Sequence, residues 1–297
     1  MTGFSDFAAK NVLNYLTGQV PMPGTTAVPA VFLALFTAVG TDAGSFTEVT
    51  GGSYTRVQVA GTATAAGSIS TASATITMPN VSGFPWVQPG MAVYDITANK
   101  VIGTVLTWVG TTLTLTANAA NNGSGSTDTL SFSAFPNASG SAPSSLTNGS
   151  VISFPQASAS WGNVIAWGLY DASSSGNLLF WDFMGNFAWL PFETPTGSNP
   201  TFTVKGHGYS SNDPIVFTAE YGGTLPTAST GVFTGYNILF AAPLATDTLN
   251  VDTVSGPSTP VVLTSSGSGM VRKIVQQTIP SGVTASFAAS TLTLTAA

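Results

Sequence analysis

Thr111-Thr112-Leu113-Thr114-Leu115-Thr116 places leucine at alternate positions among threonines, and Thr291-Leu292-Thr293-Leu294-Thr295 repeats the pattern near the other end of the chain. Successive side chains of a strand point to opposite faces, so a period of two with β-branched residues reads as a half-buried strand. Ala30-Val31-Phe32-Leu33-Ala34-Leu35-Phe36 is apolar throughout, as expected of a strand covered on both faces. Ser53 to Ala60 alternates too, with Tyr54, Arg56 and Gln58 on one face and Val57 and Val59 towards the other. One stretch departs from this pattern. Ser5 reads as a helix N-cap with Phe4 as its staple residue, and Ala9, Val12, Leu13 and Leu16 follow at i, i+3, i+4, i+7. Gly18, Pro21 and Pro23 stop that helix, whose stripe has to be buried on the body or on a neighbouring subunit. The expected class is all-β, mainly β, with one short N-terminal helix.

Two stretches read as separate modules. Residues 62–135 run through Ile76, Val87, Met91-Ala92-Val93-Tyr94 and Val101-Ile102-Gly103-Thr104-Val105 to Leu130-Ser131-Phe132, with a turn cluster at 118–127. Residues 197–271 hold short strands at Phe202-Thr203-Val204, Ile215-Val216-Phe217, Ile238-Leu239-Phe240, Leu249-Asn250-Val251 and Val261-Val262-Leu263, separated by turn signals. The remaining pieces, 1–61, 136–196 and 272–297, have the combined size of one ordinary domain. The expected architecture is therefore a discontinuous β-sandwich or jelly-roll-like core carrying two small inserted β modules. Surface loops tolerate such insertions because the cost of loop closure grows slowly with length.

Charge is scarce. Of 297 residues six are Lys or Arg and twelve are Asp or Glu, which is 6% of the chain against about 25% in ordinary soluble domains. Catalysis, metal binding and phosphate binding draw on ionisable side chains, so a building block or a binding surface is expected here and an enzyme is not. Scattered basic residues make no patch that would displace counterions from nucleic acid. The longest apolar stretch, Val28 to Val39, is broken by Pro29 and Thr37 and is too short for a membrane span of about 20 residues. Asp6, Lys10, Asn11 and Asn14 occupy the place of a secretory apolar segment, so synthesis in a cytoplasm is expected. With no cysteine, disulfides and thiolate metal sites are absent.

The candidates for chemistry each have a plainer reading. His207, the single histidine, sits between Gly206 and Gly208 with no Gly-x-Ser-x-Gly elbow anywhere, and reads as a turn residue. Asp171 with Asp182, or Asp247 with Asp252, are the pairs that glycan cleavage would need. Asp171-Ala172-Ser173-Ser174-Ser175-Gly176 reads better as a turn in which the aspartate caps backbone N–H groups. Asp42 with Glu48, or Asp247 with Asp252, lack the loop spacing of a calcium site. No cofactor is expected. Phe180, Trp181, Phe183, Phe187, Trp189 and Phe192 form a dense aromatic run, suited to a core or to a subunit interface.

An ordered set of fragments carries a resemblance. After the helix and Val31-Phe32-Leu33-Ala34-Leu35-Phe36-Thr37 come Thr41-Asp42-Ala43-Gly44, Thr47-Glu48-Val49 and a hairpin-like Gly51-Gly52-Ser53-Tyr54-Thr55-Arg56. Trp167-Gly168-Leu169-Tyr170-Asp171-Ala172, Gly176-Asn177-Leu178-Leu179-Phe180 and Ile279-Pro280-Ser281-Gly282-Val283 complete the set. This set, covering about half of the chain, resembles a family of tailed-bacteriophage virion proteins often labelled tail fibre proteins. Both modules resemble β modules of phage structural proteins: the first through Val87-Gln88-Pro89-Gly90-Met91-Ala92-Val93, the second through His207-Gly208-Tyr209-Ser210 and Asp213-Pro214-Ile215-Val216-Phe217. Family members are usually single-domain, so the modules are additions. The resemblance implies a non-enzymatic structural protein on the virion exterior. The compact, knobbed body favours a capsid decoration protein that stabilises the head. The alternative is a tail fibre or tail-tip protein that binds host surface glycans. A homotrimer is expected by analogy, with major capsid or tail proteins as partners and neither nucleic acid nor membrane insertion. Val12, Leu13, Leu16, Trp181, Phe183, Phe187 and Trp189 are the interface candidates.

Overall fold

The computed structural model describes residues 5–22, 27–40, 46–123, 128–138, 144–195, 197–198, 200–219, 223–229, 233, 236–256 and 259–296. The protein is mainly β, and among the described residues its single α-helix is Asp6–Leu16. Ser5 caps it, its Oγ accepting from the Ala8 N–H at 3.3 Å. Gly18, at φ +64°, turns the chain away; a side chain there would also strike Ala60 and the Pro29 carbonyl. Ala9 and Leu13 are buried, and the helix packs on the ladder of Ser144–Thr147 with Thr293–Ala296, so the body itself covers the stripe. No helix among the described residues is long and apolar enough to cross a membrane.

Nine strands of one antiparallel sheet run in the order Leu178–Phe183, Ala166–Tyr170, Val31–Ala38, Val57–Thr64, Thr129–Ser133, Ala92–Asp95, Lys100–Val109, Thr112–Leu115, Thr75–Thr77, with Thr47–Glu48 as a tenth on Val31–Ala38. The alternation read from the sequence is present where expected: Leu113 and Leu115 are buried, as are Leu292 and Leu294 at the far end of the chain. Val31–Ala38 is covered on both faces. Val31, Leu33 and Leu35 enter the large core beneath the ladders Ile152–Gln156 with Thr284–Phe287, and Gly162–Val164 with Gln277–Ile279. Ala34 and Phe36 enter a second core that also takes Val216 and Ile274.

Those last two residues come from or adjoin a closed six-stranded barrel ordered Leu190–Thr194, Phe202–Thr203, Thr248–Asp252, Leu239–Ala245, Pro214–Thr218, Gly267–Lys273. The circuit closes where Leu190–Thr194 pairs with Gly267–Lys273, from Leu190 opposite Val271 to Thr194 opposite Gly267. Closure removes exposed sheet edges. Phe192, Phe202, Phe217 and Phe233 fill the interior, with ring centroids 5.0 Å apart for Phe192–Phe217 and for Phe217–Phe233.

The structure corrects one strand reading. Strand pairing begins at Val57, not at Ser53. Gly51, Gly52 and Ser53 all take left-handed backbone angles and form a turn, pinned where Trp161 Nε1 donates to the Gly52 carbonyl at 2.9 Å. Tyr54 and Arg56 are drawn out of the ladder by their side-chain partners.

Candidate functional site

Three of the quoted motif fragments, those holding Glu48, Arg56 and Tyr170 with Ala172, meet at Arg56. Its Nε and NH2 donate to Glu48 Oε1 and Oε2 at 2.9 and 2.7 Å, a bidentate pair. Its NH1 donates to the carbonyls of Ala172 and Ser175 at 2.9 and 2.6 Å. The guanidinium lies 3.5 Å from the centre of the Tyr170 ring. Tyr54 donates to Glu48 Oε1 at 3.0 Å, and its oxygen accepts from the Leu35 N–H at 2.9 Å. Burial pushes the Tyr54 hydroxyl far up, and the Glu48 charge adds to the rise. Asp171 holds the turn beneath Arg56, accepting from both the backbone N–H and the side-chain amide of Asn177 at 2.7 Å. These bonds hold its carboxyl below the usual carboxylate range. The arrangement is a clamp whose donors and acceptors are spent on one another.

A second cluster joins sheet and barrel. Phe183 is buried, while Trp181 and Trp189 are half-buried around Tyr236. Arg272 of the barrel pairs with Asp182 of the sheet, its NH2 reaching Oδ2 at 3.2 Å and the Gly185 carbonyl at 3.0 Å. Lys273 pairs with Asp213 at 2.8 Å and lies 5.3 Å from the Phe187 ring centre. The chain's one adjacent basic pair is thus divided between two carboxylates. Phe187 is 39% exposed. Of the remaining interface candidates, Leu13 is buried against the body, and Val12 and Leu16 are half-buried on the helix.

The carboxylate pairs weighed for hydrolysis have other tasks. Asp171 caps its turn and Asp182 neutralises Arg272. Asp247 accepts from the Gly206 N–H at 2.8 Å, and Asp252 from the Thr259 N–H at 3.0 Å. Glu48 belongs to the clamp, and Asp42 lies outside the described residues. His207 is held in its turn: Nδ1 accepts from the Tyr209 N–H at 2.9 Å, which leaves the proton on Nε2 to donate to the Ala245 carbonyl at 3.0 Å. Among the described residues no three His, Asp or Glu side chains gather where a metal ion would sit.

A family model described as Podophage GP4 fiber I protein gp80 matches residues 3–135 and 109–186, more than half of the chain. The chain belongs to this phage fibre family. Membership makes it a structural component of a virion, and the clamp lies wholly inside the matched residues. The barrel, beginning at Leu190, lies outside them. No curated protein and no solved structure matches.

Two tertiary arrangements are not legible in the sequence. Glu48, Tyr54, Arg56 and Asp171 were visible as fragments, but nothing local says that they meet. Asn148, fully buried, donates to the carbonyls of Ser150 and Ala288 and accepts from the N–H groups of Thr291 and Leu292. Its sequence context shows only an Asn-x-Ser/Thr match.

Proposed function

We infer that this chain is a non-enzymatic building block of a phage tail fibre, carried on the virion exterior where it meets the host surface. Membership of a fibre family over residues 3–186 carries the reading. The family is described as a fibre protein, which favours the tail over the head surface that a capsid decoration protein would occupy. The geometry is in keeping with a load-carrying part: its charged groups stabilise turns and joints, and its sheets are covered on both sides at the centre. Self-association, with a trimer as the expected form, and attachment to other tail proteins belong to the same reading. The open parts of Phe187 and of Phe7 on the helix are aromatic surface that such contacts could use.

Gold-labelled antibody raised against the barrel tests the assignment on intact particles. Gold confined to the tail is the expected outcome. Gold spread over the heads returns the protein to the decoration role.

A further inference from the structure

A groove of about 470 Å³ opens beside the strand Val57–Thr64, within the range of small-molecule sites (about 300–1,000 Å³). Its walls include the half-buried Trp86, between the exposed Pro85 and Pro89, and the amides of Gln58 and Gln88. Three observations make it more than a crevice. First, the indole is seated by a missing side chain. A Cβ on Gly61 would come within 2.9 Å of Trp86 Cζ2 and 2.6 Å of Gln58 Nε2, so only glycine lets both rest against the strand. Phe132 braces the indole edge-on, with centroids 6.3 Å apart. Second, each amide is anchored through its nitrogen. Gln58 Nε2 donates to the Ala60 carbonyl at 3.1 Å and Gln88 Nε2 to the Pro85 carbonyl at 3.2 Å, which leaves both Oε1 acceptors uncommitted among the described residues. Third, no charged side chain lines the groove.

We propose that this groove binds a neutral saccharide, with Trp86 as the stacking platform and the Gln58 and Gln88 carbonyl oxygens accepting sugar hydroxyls. The C–H face of a pyranose carries partial positive charge and is attracted to the negative face of an indole. Hydroxyl groups need acceptors when they leave water, and amide oxygens supply them. An acidic sugar would find no cation here to replace its hydration. The larger groove of about 660 Å³ beside Thr284–Phe287, walled by Val275, Val283 and Met184, has an amide, Gln277, whose Nε2 donates to the Thr278 carbonyl at 3.3 Å, but offers no indole beside it.

The proposal rests on the fibre reading, and its test separates the two. Purified full-length protein is applied to an array of neutral hexose and N-acetylhexosamine oligosaccharides, with uronic-acid and sialylated glycans as the counter-set. Hits are titrated by calorimetry. Binding to neutral members is expected, weakened at least tenfold by Trp86→Ala and about threefold by Gln88→Leu, an exposed position where folding is not at stake. Trp86→Phe, which keeps a flat ring, should stay within threefold of the natural protein. Failure to bind any neutral member, preference for the charged set, or undiminished binding by both folded Trp86→Ala and Gln88→Leu overturns the site. In those cases tail-confined gold labelling would leave the fibre reading standing, whereas labelled heads would remove that reading whatever the array shows.

Discussion

The chain has two arginines, and the structure takes both out of water in different regions: Arg56 within the family-matched sheet and Arg272 at the edge of the barrel. Arg56 is fully employed. It meets Glu48 with two bonds, satisfies two carbonyls of a turn more than a hundred residues away and stacks on Tyr170. Arg272 is employed less completely. Its Nε is buried without a hydrogen-bond partner among the described residues, and the aromatic rings of Phe183 and Trp189 lie 6.0 and 5.7 Å away. The first arginine closes the body on itself, and the second fastens the barrel to that body. A buried cation is tolerated to the degree that its donors are matched, so the two joints should differ in strength.

The largest effect that can break this comparison is at Arg56. Arg56→Met leaves Glu48 with the Tyr54 hydroxyl but without the two guanidinium bonds, strips the Ala172 and Ser175 carbonyls of a charged donor, and should cost about 3–5 kcal/mol. Urea unfolding monitored by tryptophan fluorescence would read it as a shifted midpoint with an unchanged slope. Arg272→Met should cost less, about 2 kcal/mol, because Asp182 keeps the Phe183 N–H at 2.8 Å. The loss should concentrate in the barrel, seen as faster amide exchange in Pro214–Thr218 and Gly267–Lys273 than in Val31–Ala38. Equal losses in both variants, spread over the whole chain, would erase the distinction between the joints.

Alkaline titration sharpens the comparison. Burial pushes the Tyr209 hydroxyl of the barrel from its ordinary 10.0 up to about 12, helped by the Asp213 charge. A raised acid binds its proton in the folded state after the unfolded chain has released it. The stability it contributes is therefore complete below pH 10 and is lost as pH rises from 10 to about 12. The loss should be about 2 kcal/mol. Tyr209→Phe should remove that part of the alkaline loss, while Tyr54, pushed further up in the body, should ionise only after the barrel tyrosine in a 295 nm absorbance titration.

The smallest effect lies inside the sheet. Asp95 is enclosed, with Oδ1 accepting from the Ala98 N–H at 2.8 Å. Burial, with the Asp128 charge nearby, raises its carboxyl, so the stability tied to its protonated form is present in acid and lost as pH rises. Asp95→Asn should therefore stabilise the body at pH 7 and add nothing at pH 3, as urea midpoints at the two pH values would show.

Much of the fold was legible because its signals are local. Leu113 and Leu115 show their buried face by alternation, Val31 to Phe36 show double coverage by an unbroken apolar run, and Ser5 marks its cap. The clamp was legible only in pieces. Glu48 and Arg56 lie 8 residues apart, but Arg56 and Ala172 are separated by 116. Ser53 to Arg56 alternates like a strand, yet three left-handed backbone positions and the pull of Glu48 override the pattern. Trp86 gave a weaker signal still, a tryptophan between prolines, because the glycine that seats it is 25 residues earlier, on the strand Val57–Thr64.

By itself, the sequence determined a β protein with one capped helix, few charges and an ordered series of fragments belonging to a phage fibre family. These follow from backbone periodicity and composition, which act over a few residues at a time. Tertiary structure alone decided that Leu190–Thr194 closes a barrel against Gly267–Lys273, that Arg56 joins Glu48 to the Ala172 and Ser175 carbonyls, and that Gly61 makes room for Trp86. Such contacts depend on which strands become neighbours, and that is settled by packing the whole chain at once.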